Sequence, residues 1–158
     1  MTLAPWRSHL SHALHRNRSL VYARYLQLAT VQADGRPANR TVVFRGFLAG
    51  TNQLKFVTDA RNQKVDQIDH QPWAEACWYF PQTREQFRLS GQLILVRDNY
   101  PDTGLQQARQ TAWQELSYPA RLQFAWPAPG EARANSDAFQ PPPPNPAEPL
   151  SNFCLLLL

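Results

Sequence analysis

ANRTVVFRGFL, residues 38–48, carries the alternation that decides the fold. Arg40, Val42 and Phe44 fall on one side of an extended chain, and Thr41, Val43 and Arg45 on the other. Its β-branched and aromatic content favours a strand. Upstream, RYLQLATVQ (24–32) reads as its partner, with Asp34-Gly35 at the hairpin turn between them. Downstream, LKFVT (54–58) is a third strand after the turn Gly50-Thr51-Asn52. ACWYF (76–80) is a fourth. REQFRLSGQLILVR (84–97) is a long fifth, with Gly91 marking a bulge or bend. Hairpin connections and few helices imply a mainly β domain, a small antiparallel barrel with flanking helices.

The helices read from period and punctuation. Pro5 to about Asn17 has Trp6, Leu10, Ala13 and Leu14 at helical spacing behind a proline suited to a first turn. Asp59 to Gln71 is a short helix ended by Pro72, with Asp59 as its cap. Thr103–Leu116 and Tyr118–Trp126 follow. Residues 127–149 hold eight of the 14 prolines and read as an extended connector to a last apolar strand, NFCLLLL. An apolar strand at the end of the chain would be an aggregation hazard if exposed, so the natural chain is expected to continue. The 158 residues make one domain, 1–158.

Composition excludes several classes. Hydrophobic residues at 43% exclude a disordered chain, and no apolar run is long enough to span a bilayer. The opening MTLAPWRSHL has no apolar signal core, and Cys77 and Cys154 are too few for a disulfide framework, so the expected location is cytoplasmic. His9, His12 and His15 drift around their helix without a carboxylate, which gives no metal site. No Gly-x-Gly-x-x-Gly, Walker loop or nucleophile elbow occurs. The net charge is +4, with arginine far outnumbering the two lysines. That bias is either compositional drift or the mark of an anionic ligand, which arginine grips well.

The residues favour the ligand at one junction. Thr58-Asp59 stands where a strand meets a helix, and Arg61 and Lys64 lie in the first turns, where cations oppose the helix dipole. A bound phosphate reconciles them, whereas Asp59 as a plain cap needs none. Gln86, between Arg84 and Arg88, can both donate to and accept from a heterocycle edge.

Three ordered blocks carry a resemblance: Arg40-Thr41-Val42-Val43-Phe44-Arg45, then Phe56-Val57-Thr58-Asp59 with Gln63-Lys64, then Phe80-Pro81 with Gln86. Together they resemble the pyridoxamine 5′-phosphate oxidase family, closest to its oxidase-related FMN-binding branch. Trp113, Ser117, Arg121 and Phe124-Ala125-Trp126-Pro127 are similar to that branch too. The resemblance implies an FMN-binding split β-barrel of Greek-key type, working as a homodimer with flavin at the subunit interface. By it, Arg40, Gln63 and Lys64 face the FMN phosphate and ribityl chain, with Arg61 replacing a charge missing at Gln63. Thr41, Val42, Val43, Val57 and Thr58 supply backbone and hydroxyl contacts. Gln86 lies near the isoalloxazine ring, and Arg45 stands at the family's substrate-phosphate position. The oxidases' Tyr-x-x-x-Arg-x-x-x-Ser substrate block is replaced by Trp113-x-x-x-Ser117-x-x-x-Arg121. The implied activity is a flavin-dependent oxidoreductase acting on a small molecule. The alternatives are a non-catalytic flavin carrier or sensor, and a basic nucleic-acid-binding barrel using Trp78, Tyr79 and the arginines.

Overall fold

A computed structural model describes residues 2–158. The element order is α1 (Pro5–Arg16), β1 (Tyr25–Val31), β2 (Pro37–Val43), β3 (Lys55–Asp59), α2 (Gln63–His70), β4 (Trp73–Phe80), β5 (Glu85–Gln92), β6 (Ile94–Val96), α3 (Thr103–Glu115), α4 (Tyr118–Gln123), a 3-10 turn (Ser136–Phe139) and β7 (Phe153–Leu157). Strand pairing gives a four-stranded sheet, order β2-β1-β4-β5, and a three-stranded sheet, order β3-β7-β6. The fold is thus mainly sheet with flanking helices, and the four-stranded sheet is antiparallel throughout. Neither sheet closes into a barrel among the described residues. The chain divides into two compact units, one of Met1–Phe56, Gln67–Ile94 and Leu157–Leu158, the other of Val57–Asp66 and Leu95–Leu156.

The first unit holds the four-stranded sheet. The β1–β2 hairpin closes at Asp34-Gly35, where Gly35 has φ 86°, a value that a side chain resists. Residues 38–48 do not stay in one strand. β2 ends at Val43, and the chain then pairs with Lys55, whose N–H donates to the Gly46 carbonyl at 2.8 Å. Gly46, at φ 98°, makes that change of partner possible. The stretch 84–97 breaks as well, at Leu93 rather than Gly91: the Leu93 N–H makes the last bond of the β4–β5 ladder, to the Pro72 carbonyl at 2.8 Å, Pro72 has no N–H to return, and β6 then pairs with β7. One face of the sheet buries Leu26, Leu28, Val42, Ala76, Trp78 and Phe80. Trp78 sits at its centre, with ring centroids 4.9 Å from Phe44 and 5.0 Å from Phe80, and its indole N–H donates to the Ala23 carbonyl at 2.8 Å.

In the second unit, Trp113, Phe124 and Phe153 form an edge-to-face triad with centroids 5.1–5.9 Å apart. Arg109, buried on α3, donates to the carbonyls of Phe153 and Leu150, each at 2.8 Å. β7 is buried along its whole length and lies between two strands. The apolar final strand is therefore core, and the hazard expected of it is not exposed. Burial pushes the Cys154 thiol on β7 up to about 11, against the nearby Arg109 charge, which keeps it an inert protonated thiol at neutral pH.

Candidate functional site

Two groups of residues matter, one in each unit. In the first unit, Arg40, Thr41, Val42 and Val43 lie on β2, an edge strand whose outer main-chain groups have no sheet neighbour among the described residues and can meet a ligand. Val42 is buried, so only its main chain can serve a ligand, while Thr41 is exposed. Arg40 turns toward the buried face. Its Nη1 donates to the Leu28 carbonyl at 3.0 Å and to Thr30 Oγ1 at 2.7 Å, and its Nη2 donates to Gln67 Oε1 at 2.8 Å. Thr30 in turn donates to Gln67 Oε1 at 2.6 Å. Burial lowers the Arg40 pKa, yet a guanidinium remains charged. Of its five N–H donors, Nε and one on Nη2 remain for a ligand.

Arg45 is exposed just past β2, with its main-chain N–H on the Lys55 carbonyl at 2.9 Å. Gln86 is exposed on β5, the opposite edge of the sheet from β2. Three strand spacings, about 14 Å, separate those edges. Within one chain the sheet does not bring Gln86 to Arg40 and Thr41.

In the second unit, Val57, Thr58, Arg61 and Lys64 line a cavity of about 800 Å³, whose other wall includes Trp126 and Phe139. That volume is in the range of small-molecule sites. Thr58 and Lys64 are only 5% and 6% exposed. Gln63 opens α2 as an exposed residue outside the cavity lining. The helix begins four residues later than Asp59, so Asp59 is not its cap. Asn62 takes that role, its Oδ1 accepting the Lys64 N–H at 2.9 Å.

Asp59 and Arg61 instead hold each other. Arg61 donates through Nε to Asp59 Oδ1 at 2.9 Å and through Nη2 to Oδ2 at 2.7 Å, and its remaining bonds go to the carbonyls of Trp126 (3.0 Å) and Phe124 (3.3 Å). Arg61 thus commits four of its five side-chain donors within the protein and keeps one on Nη1. It is a bracket that fixes residues 124–126 against the loop before α2. Burial alone would raise the Asp59 pKa, but hydrogen bonds from the Arg61 side chain and main chain and from Asn152, with the Arg61 charge, hold it below the usual carboxylate value. Its contribution to stability is thus present above the unfolded value of about 3.9 and is lost as pH falls through the lower folded value. We expect the stability gap between the parent and Asp59→Asn, read from urea midpoints, to narrow below about pH 4. A gap that stays constant from pH 6 to pH 2 would refute this account.

The block at the oxidases' substrate position is structural in this chain. Trp113 is fully buried and donates to the Asn145 carbonyl at 2.9 Å, Ser117 caps α4 through the Ala120 N–H at 3.3 Å, and Arg121 bonds to the carbonyls of Leu116 and Gln114. Trp78 is also core, at 1% exposure, which removes it as a stacking platform for nucleic acid and leaves Tyr79 alone.

Sequence reasoning missed Thr30 and Gln67 behind Arg40, and Trp126 and Phe139 in the cavity wall. The last two stand more than sixty positions from Lys64, and no local pattern joins them. Trp126 shows one further feature: its Nε1 is buried with no hydrogen-bond partner among the described residues. A cavity of this size, lined by a buried lysine and a buried threonine, fits a phosphate-bearing ligand such as FMN.

Comparison with known proteins gives the frame. The model of the family described as pyridoxamine 5′-phosphate oxidase, FMN-binding domain, matches residues 3–97. The chain is 39% identical over 157 residues to pyridoxine/pyridoxamine 5′-phosphate oxidase 2 of Arabidopsis thaliana, covering 99% of this chain and 79% of that protein. A crystal structure of a pyridoxamine 5′-phosphate oxidase-related, FMN-binding protein from Nostoc punctiforme superposes with a TM-score of 0.97 at 67% identity, covering all of this chain and 82% of that one. PhzG of Burkholderia lata shares the fold at 18% identity, with a TM-score of 0.73 over 98% of this chain and 80% of its own. By these matches, the chain belongs to the pyridoxamine 5′-phosphate oxidase FMN-binding domain family.

Proposed function

We propose that this protein binds FMN through its phosphate and acts as a flavin-dependent oxidoreductase on a small molecule. The observation that carries the reading is the buried pair Thr58 and Lys64 on the floor of the cavity, within the family block Phe56-Val57-Thr58-Asp59 and Gln63-Lys64. Lys64 offers a cation and Thr58 a hydroxyl to the phosphate. By the family resemblance, Arg40 with its two remaining donors, Thr41 and the main chain of Val42 and Val43 are the FMN contacts of the first unit, Val57 and Gln63 are further contacts of the second, and Gln86 lies near the ring. Arg45, exposed and cationic, is the contact for an anionic group on the substrate. Bound FMN supplies the hydride-accepting chemistry, and the chain supplies binding and orientation. Asp59, held ionised by Arg61, is not a proton donor at neutral pH.

The working form in this reading is a homodimer with flavin at the interface. Tyr25, Trp73 and Tyr79, each about half exposed, stand on the uncovered face of the four-stranded sheet and support an interface there. Gln86 on the same face, remote from β2, supports a site completed by a second copy. A cytoplasmic location accords with two unpaired cysteines. No described helix is long and apolar enough to cross a membrane.

The purified protein should be yellow and release FMN on denaturation. Calorimetry should show tighter binding of FMN than of riboflavin, and sedimentation should give a dimer with about one flavin per subunit. Equal affinity for the two flavins would sink the phosphate assignment. A monomer that keeps its FMN would sink the interfacial site. Oxidation of reduced nicotinamides or amines by the loaded protein separates an enzyme from a carrier.

A further inference from the structure

We infer that Thr30 and Gln67 are positioning residues that aim the Arg40 guanidinium at a phosphate; this rests on the reading that Arg40 is a contact of the FMN phosphate. The inward-facing positions of β1 are Leu26, Leu28 and Thr30, all buried. Valine matches threonine in shape and suits a strand as well, so the Thr30 hydroxyl, at 2% exposure, serves something other than packing. Arg40 stands opposite Leu28 in the β1–β2 ladder, which puts its side chain on this same face. There Thr30 Oγ1 donates to Gln67 Oε1 at 2.6 Å, so the two oxygens stand side by side. Arg40 Nη1 donates to the first at 2.7 Å, and Nη2 donates to the second at 2.8 Å.

That geometry decides which Arg40 donors are left. A guanidinium presents an end fork, with one N–H from each Nη, and a side fork, with Nε–H and the parallel N–H of Nη2. Two acceptors 2.6 Å apart, one on each Nη, occupy the end fork. The Leu28 carbonyl, 3.0 Å from Nη1, takes the odd donor. The side fork is left whole, two parallel N–H groups with no acceptor among the described residues. Two such donors match two oxygens of one oxyanion. An arginine side chain has much rotamer freedom to lose on binding. The Thr30–Gln67 pair removes that freedom when the chain folds, ahead of the ligand. Thr30 is itself buried and acts only through Arg40.

Thr30→Val removes the hydroxyl and keeps the shape. FMN and riboflavin are titrated by calorimetry into the ligand-free parent, Thr30→Val, Thr30→Ser, Arg40→Met and the double variant of Thr30→Val with Arg40→Met. We expect Thr30→Val to weaken FMN about tenfold and to leave riboflavin within twofold. Thr30→Ser, which keeps the hydroxyl, should hold FMN within about threefold of the parent. In the Arg40→Met background Thr30→Val should cost less than twofold, because a residue acting through Arg40 has nothing left to act on. A purely structural hydroxyl would give equal losses for both flavins, or the full loss in that background, and either result overturns the inference. So does a Thr30→Val variant that binds FMN within twofold of the parent while Arg40→Met is weakened. If Arg40→Met keeps the parent's preference for FMN, the underlying reading of Arg40 fails and takes the inference with it, and the two failures are distinct. Should Thr30→Val not fold, Gln67→Met at a half-buried position of α2 runs through the same cycle, with the same expected and overturning results.

Discussion

Lys64→Met weakens FMN binding by about 10- to 150-fold and leaves riboflavin binding nearly unchanged. The lost charge-assisted contact is worth about 1.5–3 kcal/mol, and 1.4 kcal/mol corresponds to a decade in affinity. Methionine rather than alanine is the right replacement because Lys64 is only 6% exposed. Its stem is packed, so alanine would add a cavity to the loss of charge and confuse stability with binding. The measurement is paired calorimetry with both flavins, accompanied by thermal melting of the ligand-free protein. An FMN affinity within twofold of the parent means the ammonium does not meet the phosphate. Loss of both flavins together means the substitution has deformed the site.

Trp78→Ala costs about 3–5 kcal/mol of folding stability, the usual range for a large aromatic removed from a packed core. Trp78 is 1% exposed, touches the rings of Phe44 and Phe80, and satisfies the Ala23 carbonyl. At about 2–4 °C per kcal/mol for a chain of this size, the melting temperature should fall by about 6–20 °C. The control is Val21, 90% exposed, where Val21→Ala should stay within about 0.5 kcal/mol. If the two substitutions cost the same, the placement of Trp78 in the core is wrong.

The strands were readable in the sequence because their period is local. The alternation around residues 40–45 and the Asp34-Gly35 turn placed both ends of β1 and the start of β2 within a residue of their positions, while the reading of β2 to residue 48 overran its end at Val43. Two long apolar stretches read as single strands are divided in the structure, at Val43 and at Leu93. In the first the hydrogen-bonding partner changes to Lys55, and in the second the β4–β5 ladder runs out at Pro72 and β6 pairs with β7 instead. Alternation tells which residues face inward but says nothing about which chain pairs with them.

The candidate site divides in the same way. Arg40, Thr58 and Lys64 could be proposed from the sequence because each stands in a short block whose chemistry points to a phosphate. Arg61 was legible as a cation but not as a bracket, because its partners Phe124 and Trp126 lie sixty-three and sixty-five positions away. Charge and spacing belong to the sequence. Whether a charge is spent on a carboxylate and two carbonyls or held out to a ligand depends on which distant segments meet it, and folding alone brings them together.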